Sequence, residues 1–241
     1  MSTAPSLFLR GRAAIDGTPV FGALDLQVPA GRWTCLLGSS GVGKSTVLKL
    51  FAGLADHVDF VGEIGAADSD DLAGRVAMMA QSDLLLPWLS VAQNVALGAK
   101  LRGEASDAAK VSDVLARVGL AEKAQSMPDA LSGGQRQRAA LARTLMEDRP
   151  IVLLDEPFSA LDAKNRARMQ ELTAEVLAGR TVLLITHEPA EAARLGHFIK
   201  IMTDQGIEDV PAPIGDVPRA VDAPDVLEIQ ARLLAKLRED A

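Results

Sequence analysis

The chain has no tyrosine and a single cysteine. Each absence excludes something. One thiol cannot form a disulfide within the chain or build a cysteine metal cluster, and Cys35 sits in an apolar run. It reads as packing in a reducing compartment. No stretch approaches the roughly 18 uninterrupted apolar residues of a membrane span, so any service to a membrane is expected to go through a partner. Met1 to Ile15 lacks the charged start and apolar run of a signal peptide. Basic residues are in deficit: 25 Lys and Arg against 32 Asp and Glu leave a net charge of −7. No broad basic surface therefore recommends nucleic acid as a partner.

What is present suits one large domain, or one with a subdomain, that buries a real core. Its 241 residues are 48% hydrophobic and 24% charged, ordinary for a globular protein. The run Trp33-Thr34-Cys35-Leu36-Leu37 predicts a buried strand. It leads into Gly38-Ser39-Ser40-Gly41-Val42-Gly43-Lys44-Ser45-Thr46, which fits the pattern Gly, four residues, Gly, Lys, Ser/Thr. Beyond it, Val47, Leu50, Phe51 and Leu54 recur at helical spacing and predict a helix with one buried face. Strand, glycine loop and helix form the setting in which this pattern binds a nucleoside triphosphate. Successive N–H groups of a tight loop point into one concavity, and the helix start behind them favours an anion. Lys44 reaches the terminal phosphates as a point charge, and the Ser45 hydroxyl can ligate Mg²⁺.

Residues 7–37 read as short strands, with Gly17-Thr18-Pro19 the clearest break. Leu24, Leu26 and Val28 alternate with Asp25 and Gln27 as in a half-buried strand. Pro29-Ala30-Gly31 is a turn, and Asp56 to Leu72 reads as hairpin and loop. Arg75 to Ala80 predicts a strand ending at Gln81, with Met78 and Met79 in the core. Residues 82–148 are mostly helical in pattern, broken at Pro87, Gly103, Gly119 and Pro128. The strands Ile151–Leu154 and Thr181–Thr186 flank an amphipathic helix marked by Met169, Leu172, Val176 and Leu177. Such alternation indicates a largely parallel sheet. A proline- and aspartate-rich tail, 208–224, precedes a helical segment, Val226 to Leu237, expected to pack back on the body.

Two further groups carry chemistry. Asp155 and Glu156 close an apolar strand; at such an end one carboxylate can hold Mg²⁺ while the other polarises an attacking water. Leu131-Ser132-Gly133-Gly134-Gln135 places a capping serine and two glycines at the start of the helix through Leu141 and Leu145, a second phosphate-binding helix start. Either group alone is commonplace. The order is phosphate loop, Gln81 after a strand, Leu-Ser-Gly-Gly-Gln, Asp-Glu after a strand, Ser159-Ala160-Leu161-Asp162, then a strand ending in His187. In that order the chain resembles the nucleotide-binding subunit of ATP-binding cassette (ABC) transporters over residues 7–205.

The resemblance implies an α/β fold over residues 1–241: a P-loop NTPase core with a mainly parallel sheet and an N-terminal antiparallel β subdomain. It also implies an inserted helical subdomain over 82–148 that carries the signature motif, and a C-terminal tail and helix over 208–241. The implied ligands are ATP and Mg²⁺. Residues Gly38 to Thr46 would hold the phosphates, and Ser45, Gln81 and Asp155 the metal. Glu156 resembles the catalytic base, His187 the switch histidine on the γ-phosphate, and Gln81 the glutamine that senses metal and water. Ser132, Gly133, Gly134 and Gln135 resemble the residues that contact the ATP of the other subunit, and Asp162 the aspartate that communicates across the dimer. With one copy of each motif, a homodimer is implied. His57 and His197 are read as structural. One departure concerns the base: the family stacks adenine on an upstream aromatic, commonly tyrosine, whereas spacing puts Ile15 at that position with Phe21 nearby.

Residues Gln81 to Val91 fall where the family meets its membrane partner. Leu85-Leu86-Pro87-Trp88 followed by Asn94-Val95 is similar to the subgroup importing nitrate, sulfonates such as taurine, or the pyrimidine precursor of thiamine. The alternative for Leu86, Pro87 and Trp88 is packing within the helical subdomain. This subgroup implies membrane permease subunits, a periplasmic substrate-binding protein, and a place at the cytoplasmic face of the inner membrane. Two other classes share these motifs: a soluble ABC-type ATPase acting on DNA or ribosomes, and a non-hydrolysing regulatory cassette. The acidic charge, the absence of a second cassette, of long coiled-coil insertions and of zinc-binding cysteines argue against the first. Intact Lys44, Glu156 and His187 argue against the second.

Overall fold

The computed structural model describes residues 4–239; residues 1–3 and 240–241, at the ends of the expected domain, lie outside it. The chain divides into two compact units. One comprises residues 1–78, 149–155 and 178–241, and the other residues 79–148 and 156–177.

The first unit opens with strands β1 (Leu7–Ile15) and β2 (Thr18–Val28), paired antiparallel. The turn between them is Asp16-Gly17, with φ of 49° and 77°. Positive φ at both central residues suits the right-handed twist of a two-residue hairpin. The break thus comes one residue earlier than expected, and Thr18 and Pro19 already pair with Ile15 and Ala14. Leu24, Leu26 and Val28 are all buried. After β3 (Trp33–Leu37) and α1 (Lys44–Phe51), β4 (Asp59–Ala66) pairs antiparallel with β1, giving the order β2-β1-β4. Here the expected hairpin and loop is instead a strand of the antiparallel sheet. Its partner strand, β1, lies some fifty residues upstream, so no local pattern announces the pairing.

Helix α1 is shorter than its apolar spacing suggested. Gly53 takes φ 66°, and Leu54 N–H reaches back to the Lys49 carbonyl at 2.9 Å. That Schellman-type closure ends the helix and leaves Leu54 61% exposed.

The larger sheet has the order β5-β6-β7-β3-β8-β9, with β5 at Val76–Met79, β6 at Ile151–Asp155, β7 at Thr181–Ile185, β8 at Phe198–Thr203 and β9 at Gly206–Val210. Strands β6, β7, β3 and β8 run parallel, while β9 returns antiparallel along β8. The start of the expected tail is therefore sheet. Strands β3, β6 and β7 are buried at every residue, as a parallel sheet covered on both faces requires. Cys35 lies at 0% exposure, and burial pushes its thiol pKa well above the ordinary value.

In the second unit, α2 (Val91–Val95), α3 (Leu97–Leu101), α4 (Ala108–Arg117) and α5 (Gly133–Met146) are joined by α6 (Ala163–Val176). The buried Val91, Val95, Val111, Leu115, Leu141 and Met169 form apolar faces of these helices. Back in the first unit, α7 (Pro189–Leu195) packs with α8 (Pro224–Glu239). Val226 and Leu233 of α8 are buried: the C-terminal helix does fold back.

Candidate active site

In the first unit, the parallel strands β3, β6 and β7 end together, since Leu36 and Asp155 both register with Ile185. Ligands of open α/β sheets gather beyond that carboxyl edge, and the phosphate loop, Asp155 and His187 all emerge there. Close approach fixes the glycines. A Cβ on Gly38 would lie 2.3 Å from the Met202 carbonyl oxygen, and one on Gly43 would lie 2.9 Å from the Phe21 ring. At φ 150° and 104° these positions also suit glycine best. Lys44, 8% exposed, folds over the loop and donates to the Gly38 carbonyl at 2.8 Å and the Ser39 carbonyl at 2.7 Å. The N-cap of α1 is Gly43, and no side chain caps it; a helix start of this kind favours an anion.

Asp155 is buried and His187 exposed; His187 Nε2 stands 3.7 Å from Glu188 Oε1. The turn around His187 depends on residues the sequence reading did not single out. The Thr186 hydroxyl accepts from Glu188 N–H at 3.0 Å and donates to Glu191 Oε2 at 2.7 Å. Both Thr186 and Glu191 are buried. Glu191 stands among the alanines Ala190, Ala192 and Ala193, and that is the only local sign that its side chain faces inward.

In the second unit, Gln81 and Glu156 meet: the glutamine amide donates to Glu156 Oε2 at 3.2 Å. Glu156 adopts φ 49°, the left-handed region that non-glycine residues enter only when their surroundings hold them there. Ser132 caps α5 in a capping box: its hydroxyl accepts from Gln135 N–H at 3.3 Å while Gln135 Oε1 accepts from Ser132 N–H at 2.8 Å. A Cβ on Gly134 would stand 3.1 Å from the Ala160 carbonyl oxygen. Asp162 caps α6, accepting from Asn165 N–H at 3.0 Å, and its bonds to the backbone and side chain of Asn165 hold its pKa below the ordinary carboxylate value.

Trp88 is 68% exposed and Leu84 60%. The packing alternative therefore fails for Trp88, although Leu85 beside it is buried. The surrounding loop is tied to one side chain. Asn94, fully buried, donates to the Leu86, Leu89 and Ser90 carbonyls and accepts from Leu86 N–H at 2.8 Å. A groove of about 740 Å³ lies in the same unit, with Leu89, Ala92, Ala96, Val111 and Leu115 along it. Phe21 is in the core and Ile15 half-buried. Neither therefore offers an exposed aromatic ring for a base.

Residues 21–159 match the ABC transporter family. The chain belongs to that family. An uncharacterized ABC transporter ATP-binding protein of Haemophilus influenzae is 41% identical, covering 93% of this chain and 95% of the relative. The aliphatic sulfonates import ATP-binding protein SsuB 1 of Rhodococcus jostii is 46% identical over 79% of this chain and 76% of its own length. SsuB of an Escherichia coli strain is 39% identical over 91% and 86%. A dimeric post-hydrolysis state of an ATP-binding cassette bound to ADP and Pi aligns with TM-score 0.74 and 26% identity, covering 86% of this chain and 99% of that one. An ATP-bound Atm1-family exporter shares the fold alone, at TM-score 0.77 and 22% identity over 97% of this chain and 43% of that chain. As an ABC protein the chain is an ATPase, with the expected P-loop core, parallel sheet and antiparallel N-terminal strands. Among the described residues, no helix is long and apolar enough to cross a membrane. No group of three or more His, Cys, Asp and Glu among them could hold a metal.

Proposed function

We propose that this ABC ATPase powers a bacterial importer of aliphatic sulfonates. The observation that carries the catalytic part is the Gln81–Glu156 hydrogen bond of 3.2 Å, which joins two residues 75 positions apart in sequence at the end of a strand. In this reading Lys44 and the loop N–H groups bind the triphosphate of ATP, and His187 touches the γ-phosphate. Glu156 accepts a proton from the water whose oxygen bonds to the γ-phosphorus as the bond to the ADP oxygen breaks. The hydroxyl of Ser45, the carboxylate of Asp155 and the amide oxygen of Gln81 are hard oxygen donors that suit Mg²⁺ and would hold it. When bound, the ion supplies positive charge against the phosphates.

Ser132 to Gln135 then face the ATP of a second copy, with Asp162 at the dimer contact, so the working unit is a head-to-tail homodimer. ATP binding closes it and hydrolysis reopens it. The helical subdomain over 82–148 carries both the signature and the face toward the permease. On that face, exposed Trp88 and the neighbouring apolar groove suit an apolar segment of the permease. A periplasmic binding protein would deliver cargo on the far side, and the chain itself would sit peripherally on the cytoplasmic face of the inner membrane. Support for the cargo comes from the relatives named as sulfonate importers.

The test is uptake of a labelled alkanesulfonate by cells whose own copy is deleted. Wild type should restore uptake and Glu156→Gln should not. Restoration of nitrate or thiamine-pyrimidine uptake instead would overturn the cargo. Equal restoration by both proteins would overturn the coupling to hydrolysis.

A further inference from the structure

We infer that Gln137 is a positioning residue for the hydrolytic step, holding Glu156 in its left-handed backbone and tying it to the helix that carries the signature motif. The inference rests on the reading of Glu156 as the base.

Gln137 lies on α5, one turn beyond Gly133, and is 6% exposed. A glutamine on the buried side of a helix is expensive unless its amide is satisfied, and here it is satisfied by one short loop. Its Nε2 donates to the Glu156 carbonyl at 3.0 Å and to Ser159 Oγ at 3.2 Å, while its Oε1 accepts from Ala160 N–H at 2.8 Å. Ser159 Oγ also donates to the Glu156 carbonyl, at 3.1 Å. One carbonyl thus takes two side-chain hydrogen bonds at the residue whose φ is 49°. Such a backbone persists only where its surroundings over-determine it, and these bonds supply that. Side-chain direction at Glu156 follows from its φ and ψ. Releasing the carbonyl lets the residue relax toward ordinary backbone and carries the carboxylate away from Gln81. The same amide anchors Ala160, whose carbonyl packs against Gly134 of the signature. Signature helix and base thereby form one rigid piece, so that a signature seated on nucleotide fixes where the base stands.

The test is steady-state ATP hydrolysis by Gln137→Met, which keeps the length and removes the hydrogen bonds, and by the milder Ser159→Ala. Gln137→Met should lower kcat by about 10- to 100-fold with KM for ATP changed less than about twofold. Ser159→Ala should lower kcat by about threefold with the same split. In a Glu156→Gln background neither should reduce the residual rate further, because both act through that one carboxylate. Wild-type kcat in folded Gln137→Met, or an undiminished extra loss in the Glu156→Gln background, would overturn the inference. If Gln137→Met does not fold, Ser159→Ala decides alone: a wild-type kcat overturns the inference. Wild-type turnover by Glu156→Gln itself would instead remove the underlying reading.

Discussion

Gln81 hydrogen-bonds Glu156 through its side-chain amide, at 3.2 Å. The glutamine is exposed and the glutamate half-buried, so the bond orients the carboxylate more than it stabilises the fold. Gln81→Ala is therefore expected to lower kcat by about tenfold with a near-native unfolding midpoint. Hydrolysis assays beside a urea melt check this. A variant with native kcat would contradict an orienting role.

Lys44 holds two loop carbonyls, at 2.8 and 2.7 Å, and is the cation placed to meet phosphate. Hydrogen bonds to charged groups contribute about 1.5–3 kcal/mol. Lys44→Ala is accordingly expected to weaken ATP binding by about 10- to 100-fold. At a nucleotide concentration that saturates wild type, thermal stabilisation by Mg-ATP should shrink or vanish in the variant.

His197 contributes to a pH dependence. Burial, with Arg32 and Arg219 nearby, lowers its pKa below the ordinary 6.5, and Nδ1 accepts Trp33 N–H at 3.1 Å. On acidification the unfolded chain therefore takes up this proton before the folded one does. The stability is present above about pH 6.5 and is lost as pH falls from there through the folded pKa. His197→Asn keeps an acceptor and cannot titrate. The advantage of wild type over this variant in urea midpoint should narrow between about pH 7.5 and pH 5.5; a gap independent of pH would contradict the assignment.

Trp88 is 68% exposed on a loop braced by Asn94. Removing its ring should shift unfolding by no more than about 0.5 kcal/mol, as surface substitutions do. Trp88→Ala is expected to lose co-purification with the permease subunits; full retention would place the contact elsewhere.

The phosphate loop was legible because its signal is local: apolar strand, glycines, lysine and helix follow one another within twenty residues. The capping box of Ser132 and Gln135 is local too, an i, i+3 pair. Strand β4 was missed because its stability lies in pairing with β1, which no local pattern in Asp59–Ala66 announces. Leu54 matched the helical period, yet Gly53 ends the helix before that period can continue. Gln137 could have been found. It precedes Leu141 and Leu145 by four and eight residues, so it occupies the buried stripe of α5, where a polar side chain needs partners. What those partners are is a tertiary fact, since they lie 19 to 23 residues further along the chain.

The most direct measurement is ATP turnover by purified wild type and Glu156→Gln, with nucleotide binding and mass by light scattering on the same samples. The account requires Glu156→Gln to bind ATP, lose most hydrolysis and accumulate as a dimer when ATP is present. Equal turnover in the two proteins would contradict it.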